Sequence, residues 1–257
     1  MRTIVYQSHK TPLHPSWIHQ CTASVREWAT TQRFDYQLLG DELFDLLPRT
    51  LFAKVAQQRT IAADLARLRL LQRGLQQSYE RVIWIDADVL ILQTASWKVG
   101  DSSHGFGREV WVQETAQGLK TYRKIHNAVM LFCQQDPVLE FYRLAAERVV
   151  ERHRAGPLAP QIVGPKLLTA LHNLVGFDVI EDAGMLPPLV AQGLLQGGGS
   201  ALQAFNVAST MAPKALNLCS SLLDEQHQLG IDMHAVIASL LDPDQMPLLK
   251  LPGISQT

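Results

Sequence analysis

Two carboxylates separated by a single residue, Asp86 and Asp88, interrupt the otherwise apolar run from Val82 to Leu92. Successive side chains of a strand point to opposite faces, and those two apart share a face. If the chain stays extended here, Asp86 and Asp88 converge on one cation. Burying a carboxylate without a partner is unfavourable, and burying two like charges is more so. A hard divalent ion relieves that cost, and Mg²⁺ or Mn²⁺ leaves coordination positions open for phosphate oxygens. In the alternative, the strand ends at Ile85 and Asp-Ala-Asp is a turn, one Asp capping a helix. Val89-Leu-Ile-Leu92 restores apolar character at once, without Gly or Pro. The preceding Val82–Ile85 reads as a buried central strand, whose carboxyl end carries sites in open α/β sheets. Both points favour the metal.

The elements that must position this pair alternate. Strands are expected at Thr3–Gln7, Phe34–Leu39, 82–92, Glu109–Gln113, Ala128–Cys133 and Val179–Ile180. Helices are expected at Pro15–Thr30, Asp41–Leu47, Leu51–Gly74, Pro137–Arg154 and Gly164–Leu174. The pattern predicts an α/β sheet flanked by helices. Residues 193–200, Gly-rich and without a strand-loop-helix context, read as a flexible loop and not as a phosphate cradle. The tail after Leu240 reads as irregular. In the long helix, Asp64 falls on the apolar stripe of Ile61, Leu65 and Leu68, with Arg67 on its flank. They form either a self-satisfying i,i+3 pair or a pair of ligand contacts.

The chain has 257 residues, 47% hydrophobic, with a net charge of −1. That balance argues against nonspecific nucleic-acid binding. No apolar run approaches the roughly 20 residues of a membrane span, and the N-terminus lacks a signal peptide's apolar stretch. Cys21, Cys133 and Cys219 lack metal-ligand spacing and fit a reducing compartment. A soluble cytoplasmic protein is expected, and contact with the inner face of a membrane is compatible with it.

Six segments in order resemble the GT-A glycosyltransferases. They are most similar to family 32, the DXD group of capsular and lipopolysaccharide transferases and yeast mannosyltransferases. They are Ile4-Val-Tyr-Gln-Ser-His, Cys21–Trp28, Ala63-Asp64-Leu65-Ala66-Arg67, Asp86-Ala-Asp88, Asn127-Ala-Val-Met130 and Gly164-Pro-Lys-Leu-Leu-Thr169. The approach from Tyr79 to Leu90 is also similar to family 8, glycogenin and bacterial galactosyltransferases. The resemblance covers about residues 3–175. It departs in lacking Gly-Gly-x-Tyr close before DXD. It also lacks a clear C-terminal His ligand: His227 and His234 read as surface or core residues.

The resemblance implies a single-domain GT-A fold, Rossmann-like with a mixed sheet. Residues 1–175 would form the nucleotide-sugar-binding core, and 176–257 the acceptor side and lid. It implies a retaining transfer of a sugar from a nucleotide sugar, UDP-linked sooner than GDP-linked, to a glycan or glycolipid hydroxyl. Asp86 and Asp88 would hold Mn²⁺ or Mg²⁺, Asp88 more firmly. Asp64, Arg67, Asp86, Gly164 and Pro165 would bind the donor. Asn127 and Asp86 would act at the reacting sugar. The alternatives are a sugar nucleotidyltransferase, for which Thr3–Lys10 lacks the Gly-rich basic loop, and an inactive nucleotide-sugar-binding relative. Glu114, Asp178, Glu181 and Asp182 are the remaining carboxylates considered as a base, none placed by a motif. His126 reads as structural.

Overall fold

A computed structural model of the chain describes residues 1–242 and 249. The order is β1 (Thr3–Ser8), α1 (Ile18–Thr31), β2 (Asp35–Leu39), a 3-10 helix (Asp41–Leu46), α2 (Arg49–Val55), α3 (Arg59–Gln76), β3 (Arg81–Ile85) and β4 (Val89–Ile91). Next come β5 (His104–Thr115), β6 (Gly118–Cys133), α4 (Val138–Arg152), α5 (Pro165–Val175), β7 (Val179–Ile180) and β8 (Ala183–Met185). The chain continues through α6 (Pro188–Leu195), α7 (Ser200–Ala208), β9 (Ala215–Asn217), α8 (Leu223–Gln228) and α9 (Met233–Leu241).

The predicted mixed sheet flanked by helices is observed. Its strand order is β2-β1-β3-β6-β5-β7. β1 runs parallel to β2 and β3, while β6 runs against both β3 and β5. A second sheet, β4-β9-β8, stands beside it. β3 is buried at every position, as its unbroken apolar sequence requires of a central strand. On one side of the sheet Leu65, Leu68 and Leu71 of α3 pack with Tyr142 and Val150 of α4. Val25 and Trp28 of α1 pack with Ile83, Ile85 and Trp97 in a separate cluster. Leu68 and Leu71 are wholly buried, so truncating either to Ala would cost about 2–5 kcal/mol.

Four sequence expectations are corrected. The run 82–92 is not one extended strand. β3 stops at Ile85, and Val89 N–H closes a turn onto the Asp86 carbonyl at 3.1 Å. The chain then enters the second sheet, where β4 pairs with β9. The helix expected from Leu51 to Gly74 is two helices. Gln58 leaves the helical region (φ −120°, ψ 69°), because its amide bonds Leu158 both ways, at 2.8 Å to the carbonyl and 2.9 Å from the N–H. The strands expected at 109–113 and 128–133 are parts of a longer hairpin, whose exposed polar positions masked its length. The loop expected at 193–200 shrinks to residues 196–199. Gly197, Gly198 and Gly199 take φ of 73°, 157° and 125°, backbone open to glycine, and α6 and α7 close in on either side. Of the tail expected to be irregular, residues 243–248 and 250–257 lie outside the described residues.

Candidate active site

A cleft of about 720 Å³ opens where β1 and β3 end, lined by Ser8, His9 and Lys10 from the one and Asp86, Ala87 and Asp88 from the other. Carboxyl ends of parallel strands are where open α/β sheets bind ligands. α3 brings Asp64 and Arg67 to the same cleft, and β6 brings Asn127.

Arg67 organises the floor. Its Nη2 meets Asp64 Oδ1 at 3.0 Å, and its Nη1 donates to Asp86 Oδ1 at 2.9 Å and to the Asn127 carbonyl at 3.2 Å. Its guanidinium lies 4.9 Å over the Trp84 ring. Asp64 Oδ1 also accepts from Asn127 Nδ2 at 2.8 Å, and Asp86 Oδ1 from the Trp84 indole at 2.6 Å. The i,i+3 pair is formed, and Arg67 links it to the turn that carries Asp86. Burial pushes the Asp86 carboxyl up to about 7, with Asp88 adding to the push and Arg67 and Trp84 opposing it. Burial also raises Asp64, against Arg67 and Asn127. Burial lowers the Arg67 guanidinium, but Asp86 and Asp64 outweigh it and hold the group charged.

Asp88 is held from the far end of the chain. Its Oδ1 accepts from Asn217 Nδ2 at 2.7 Å, and its Oδ2 accepts from the Ser220 N–H at 2.8 Å and hydroxyl at 2.7 Å. Asn217 is itself fixed, because its Oδ1 accepts the Cys219 N–H at 2.8 Å. Cys219 sits at φ 55°, and that left-handed residue turns the chain so that Ser220 faces the carboxylate.

A local irregularity places Asn127. The β5–β6 register jumps between Phe106↔Met130 and Gly107↔His126. Asn127, Ala128 and Val129 therefore bulge out of the β5 pairing, as functional bulges do. His126 anchors the bulge. Its Nδ1 accepts the Ala128 N–H at 3.1 Å, and its Nε2 faces the Ala183 carbonyl at 3.1 Å. Burial lowers the ring to about 4; the bond to Ala183 opposes this and Arg108 adds to it.

Gly164 is buried behind the floor, not in the cleft wall. A Cβ there would stand 2.8 Å from Asp64 Oδ2 and 3.1 Å from Asn127 Nδ2. Pro165, the first residue of α5, does line the cleft. Glu114, Asp178, Glu181 and Asp182 do not line it. Glu181 is clamped by Arg108 at 2.6 Å, and Asp182 accepts from the Trp97 indole at 3.2 Å. His227 is exposed, and His234 bonds the Ser16 hydroxyl at 2.9 Å.

Sequence reasoning missed Trp84, Asn217, Ser220 and Glu109. Trp84 shares a strand face with Asp86, and alternation could have shown it. Glu109 alternates with buried Val110 on β5 and lines the cleft. Asn217 and Ser220 carry no local signal toward Asp88.

The described residues contain no group of three His, Cys, Asp or Glu placed to hold a metal. The residues present nevertheless fit a hard dication. Among the described residues, Asp86 Oδ1 and Asp88 Oδ2 each accept two hydrogen bonds and Asp88 Oδ1 accepts one, so Asp86 Oδ2 and the second lone pair of Asp88 Oδ1 remain to meet a cation. Mg²⁺ and Mn²⁺ bind through one or two carboxylates plus water and phosphate oxygens.

No family model matches the chain, and neither does any curated protein. Solved structures align with it. A glycosyltransferase involved in glycosylation of the major capsid of PBCV-1 is 11% identical, over 90% of this chain and 100% of that one, with a TM-score of 0.48. The apo form of the glycosyltransferase GlyE of Streptococcus pneumoniae TIGR4 is 12% identical, over 99% of this chain and 66% of that one, with a TM-score of 0.43. A197 from STIV is 10% identical, over 67% and 78%, with a TM-score of 0.30.

Proposed function

We propose that the chain is a metal-dependent GT-A glycosyltransferase that moves a sugar from a nucleoside-diphosphate sugar to an acceptor hydroxyl. One observation carries the reading. Asp86 and Asp88 stand on one turn at the floor of the cleft, beside Asp64, which shares the Arg67 guanidinium with Asp86. The cleft has the volume of a small-molecule site, typically about 300–1,000 Å³.

Asp86 and Asp88 would hold Mn²⁺ or Mg²⁺, which supplies positive charge for the diphosphate leaving group. Arg67 and Trp84 fix the Asp86 carboxylate, while Asn217 and Ser220 fix that of Asp88, so neither must reorganise during transfer. Asp64, braced by Asn127, presents an acceptor to a donor hydroxyl. Lys10 and Arg59 at the rim favour entry of an anionic donor. The segment resemblance favours a UDP-sugar over a GDP-sugar and a retaining outcome, with a glycan or glycolipid as acceptor. Asn127 and Asp86 would then flank the reacting carbon.

Calorimetry with UDP-glucose, UDP-galactose and GDP-mannose, each with Mn²⁺, tests the reading together with a donor-hydrolysis assay. The expected result is Mn²⁺-dependent binding and slow hydrolysis, both lost in Asp88→Ala. Undiminished turnover of that variant in the presence of chelator would sink the proposal, as would failure of every donor to bind.

A further inference from the structure

The β5–β6 hairpin outruns the main sheet. β3 pairs with β6 only from Val129 to Cys133, so the ribbon beyond has no third strand from β3. Its two faces differ in kind. Val110 and Val112 are buried against Leu186, Phe205 and Leu216 in a second core. The opposite face carries Glu109, Trp111 and Gln113 directly across from Lys124, Tyr122 and Lys120. Residues opposed in an antiparallel pair share a face. Glu109, Trp111, Gln113 and Lys124 all line the cleft that holds Asp86 and Asp88.

That face has a definite chemistry. The partly exposed Trp111 indole gives it a flat apolar surface. Around it stand a carboxylate that is only 8% exposed, a side-chain amide and an ammonium. Glu109 and Lys124 approach to 3.6 Å, too long for a tight hydrogen bond, so both can engage a third group. Tyr122 is already covered, with the Lys120 and Lys124 ammonium groups 5.1 and 5.5 Å from its ring centroid. A pyranose ring matches this arrangement. One of its sides is a sheet of C–H bonds, and its rim is hydroxyls that both donate and accept. An aliphatic ligand would use the indole alone and make no hydrogen bond to Glu109, Gln113 or Lys124 around it.

We propose that this face is the acceptor subsite: a pyranose unit of the acceptor stacks on Trp111 and directs hydroxyls to Glu109, Gln113 and Lys124. The proposal rests on the glycosyltransferase reading of the floor. It assigns acceptor recognition to the hairpin, ahead of the segment after residue 175.

The chain contains five tryptophans. Labelling the full chain with 5-fluorotryptophan gives each its own ¹⁹F line, and W111F and W84F assign two of them. Trp84 then reports on the donor floor and Trp111 on the acceptor face. The probes are the methyl pyranosides of glucose, galactose, mannose and N-acetylglucosamine at millimolar concentration, and separately UDP with Mn²⁺. The expected result is a saturable shift of the Trp111 line with at least one pyranoside. In Trp111→Ala, pyranoside affinity should fall roughly tenfold, and Trp111→Tyr should recover most of it, since an aromatic face is what binds. A Trp111 line unmoved by all four sugars, while UDP moves the Trp84 line, overturns this inference and leaves the donor site standing. A Trp111 response without any Trp84 response to UDP overturns the acceptor role together with the glycosyltransferase reading. Five lines moving in parallel mean nonspecific binding and overturn the inference as well.

Discussion

Acid should loosen this protein through one imidazole. His126 is almost wholly buried, and both ring nitrogens are used: Nδ1 accepts the Ala128 N–H, and Nε2 therefore carries the proton that points at the Ala183 carbonyl. Protonating Nδ1 would set two donors face to face in a dry site. The folded ring accordingly titrates at about 4, against 6.5 for a free one. A depressed folded value means that the unfolded chain takes up the proton first as pH falls. The stabilisation is thus complete above about 6.5 and is lost progressively down to about 4. At about 1.36 kcal/mol per unit, the whole span is worth roughly 3 kcal/mol. Urea unfolding followed by circular dichroism, from neutral pH down to 4.5, would read it in the wild type and in His126→Gln. Both chains carry the same carboxylates, so the difference between their stabilities isolates the ring. The glutamine variant should be less stable at neutral pH, and the gap should narrow steadily below 6.5. A gap that stays constant across this range would refute the reasoning, as would an NMR titration placing His126 near 6.5.

Three further outcomes are expected. Gly164→Ala places a methyl group that would press on Asp64 and Asn127. It should cost about 1–3 kcal/mol in thermal unfolding and weaken UDP-sugar binding measured by calorimetry. Arg67→Met leaves Asp64 and Asp86 without their shared cation. It should cost roughly 3–5 kcal/mol in urea unfolding, and Asp64→Asn in the same chain should restore part of that loss. Ser220→Ala removes one hydroxyl donor from Asp88 while keeping the backbone N–H, so it should cost about 1.5–3 kcal/mol. A loss as large as that of the Arg67 variant would show that Ser220 does more than hold this carboxylate.

The parts of the fold legible from sequence were those whose signal is local. The unbroken apolar run before Asp86 correctly marked a central strand, and helical spacing placed Asp64 and Arg67 on one buried face. The errors came where a distant partner decided the geometry. Nothing near Gln58 announces that Leu158 will pull it out of the helix. The bulge at Asn127 follows from β6 being shared between β3 and β5, a relation of three strands that no single segment records. The turn at Asp86-Ala-Asp88 is the sharpest case. Its alternation argued for an extended strand, yet the next residues, Val89–Ile91, find their partner in β9, more than a hundred residues later. A strand leaving for another sheet must bend, and the bend falls on the two carboxylates.

That bend ties the site to both halves of the chain. Asp86 is bound by residues that precede it, Arg67 and Trp84, and its N–H donates to the Ala128 carbonyl at 2.7 Å. Among the described residues, the Asp88 carboxylate is bound by Asn217 and Ser220. Each carboxylate is thus oriented by a different part of the fold, and the two come together only when β9 has paired with β4. A segment that folds away from the sheet would release Asp88 while leaving Asp86 in place. Hydrogen bonds to an ionised group are each worth about 1.5–3 kcal/mol, so the three on Asp88 give the docking of β9 and Ser220 a strong electrostatic component. The same negative charge that would hold a cation holds the C-terminal region against the sheet. Asp88 therefore links the competence of the site to the completeness of the fold.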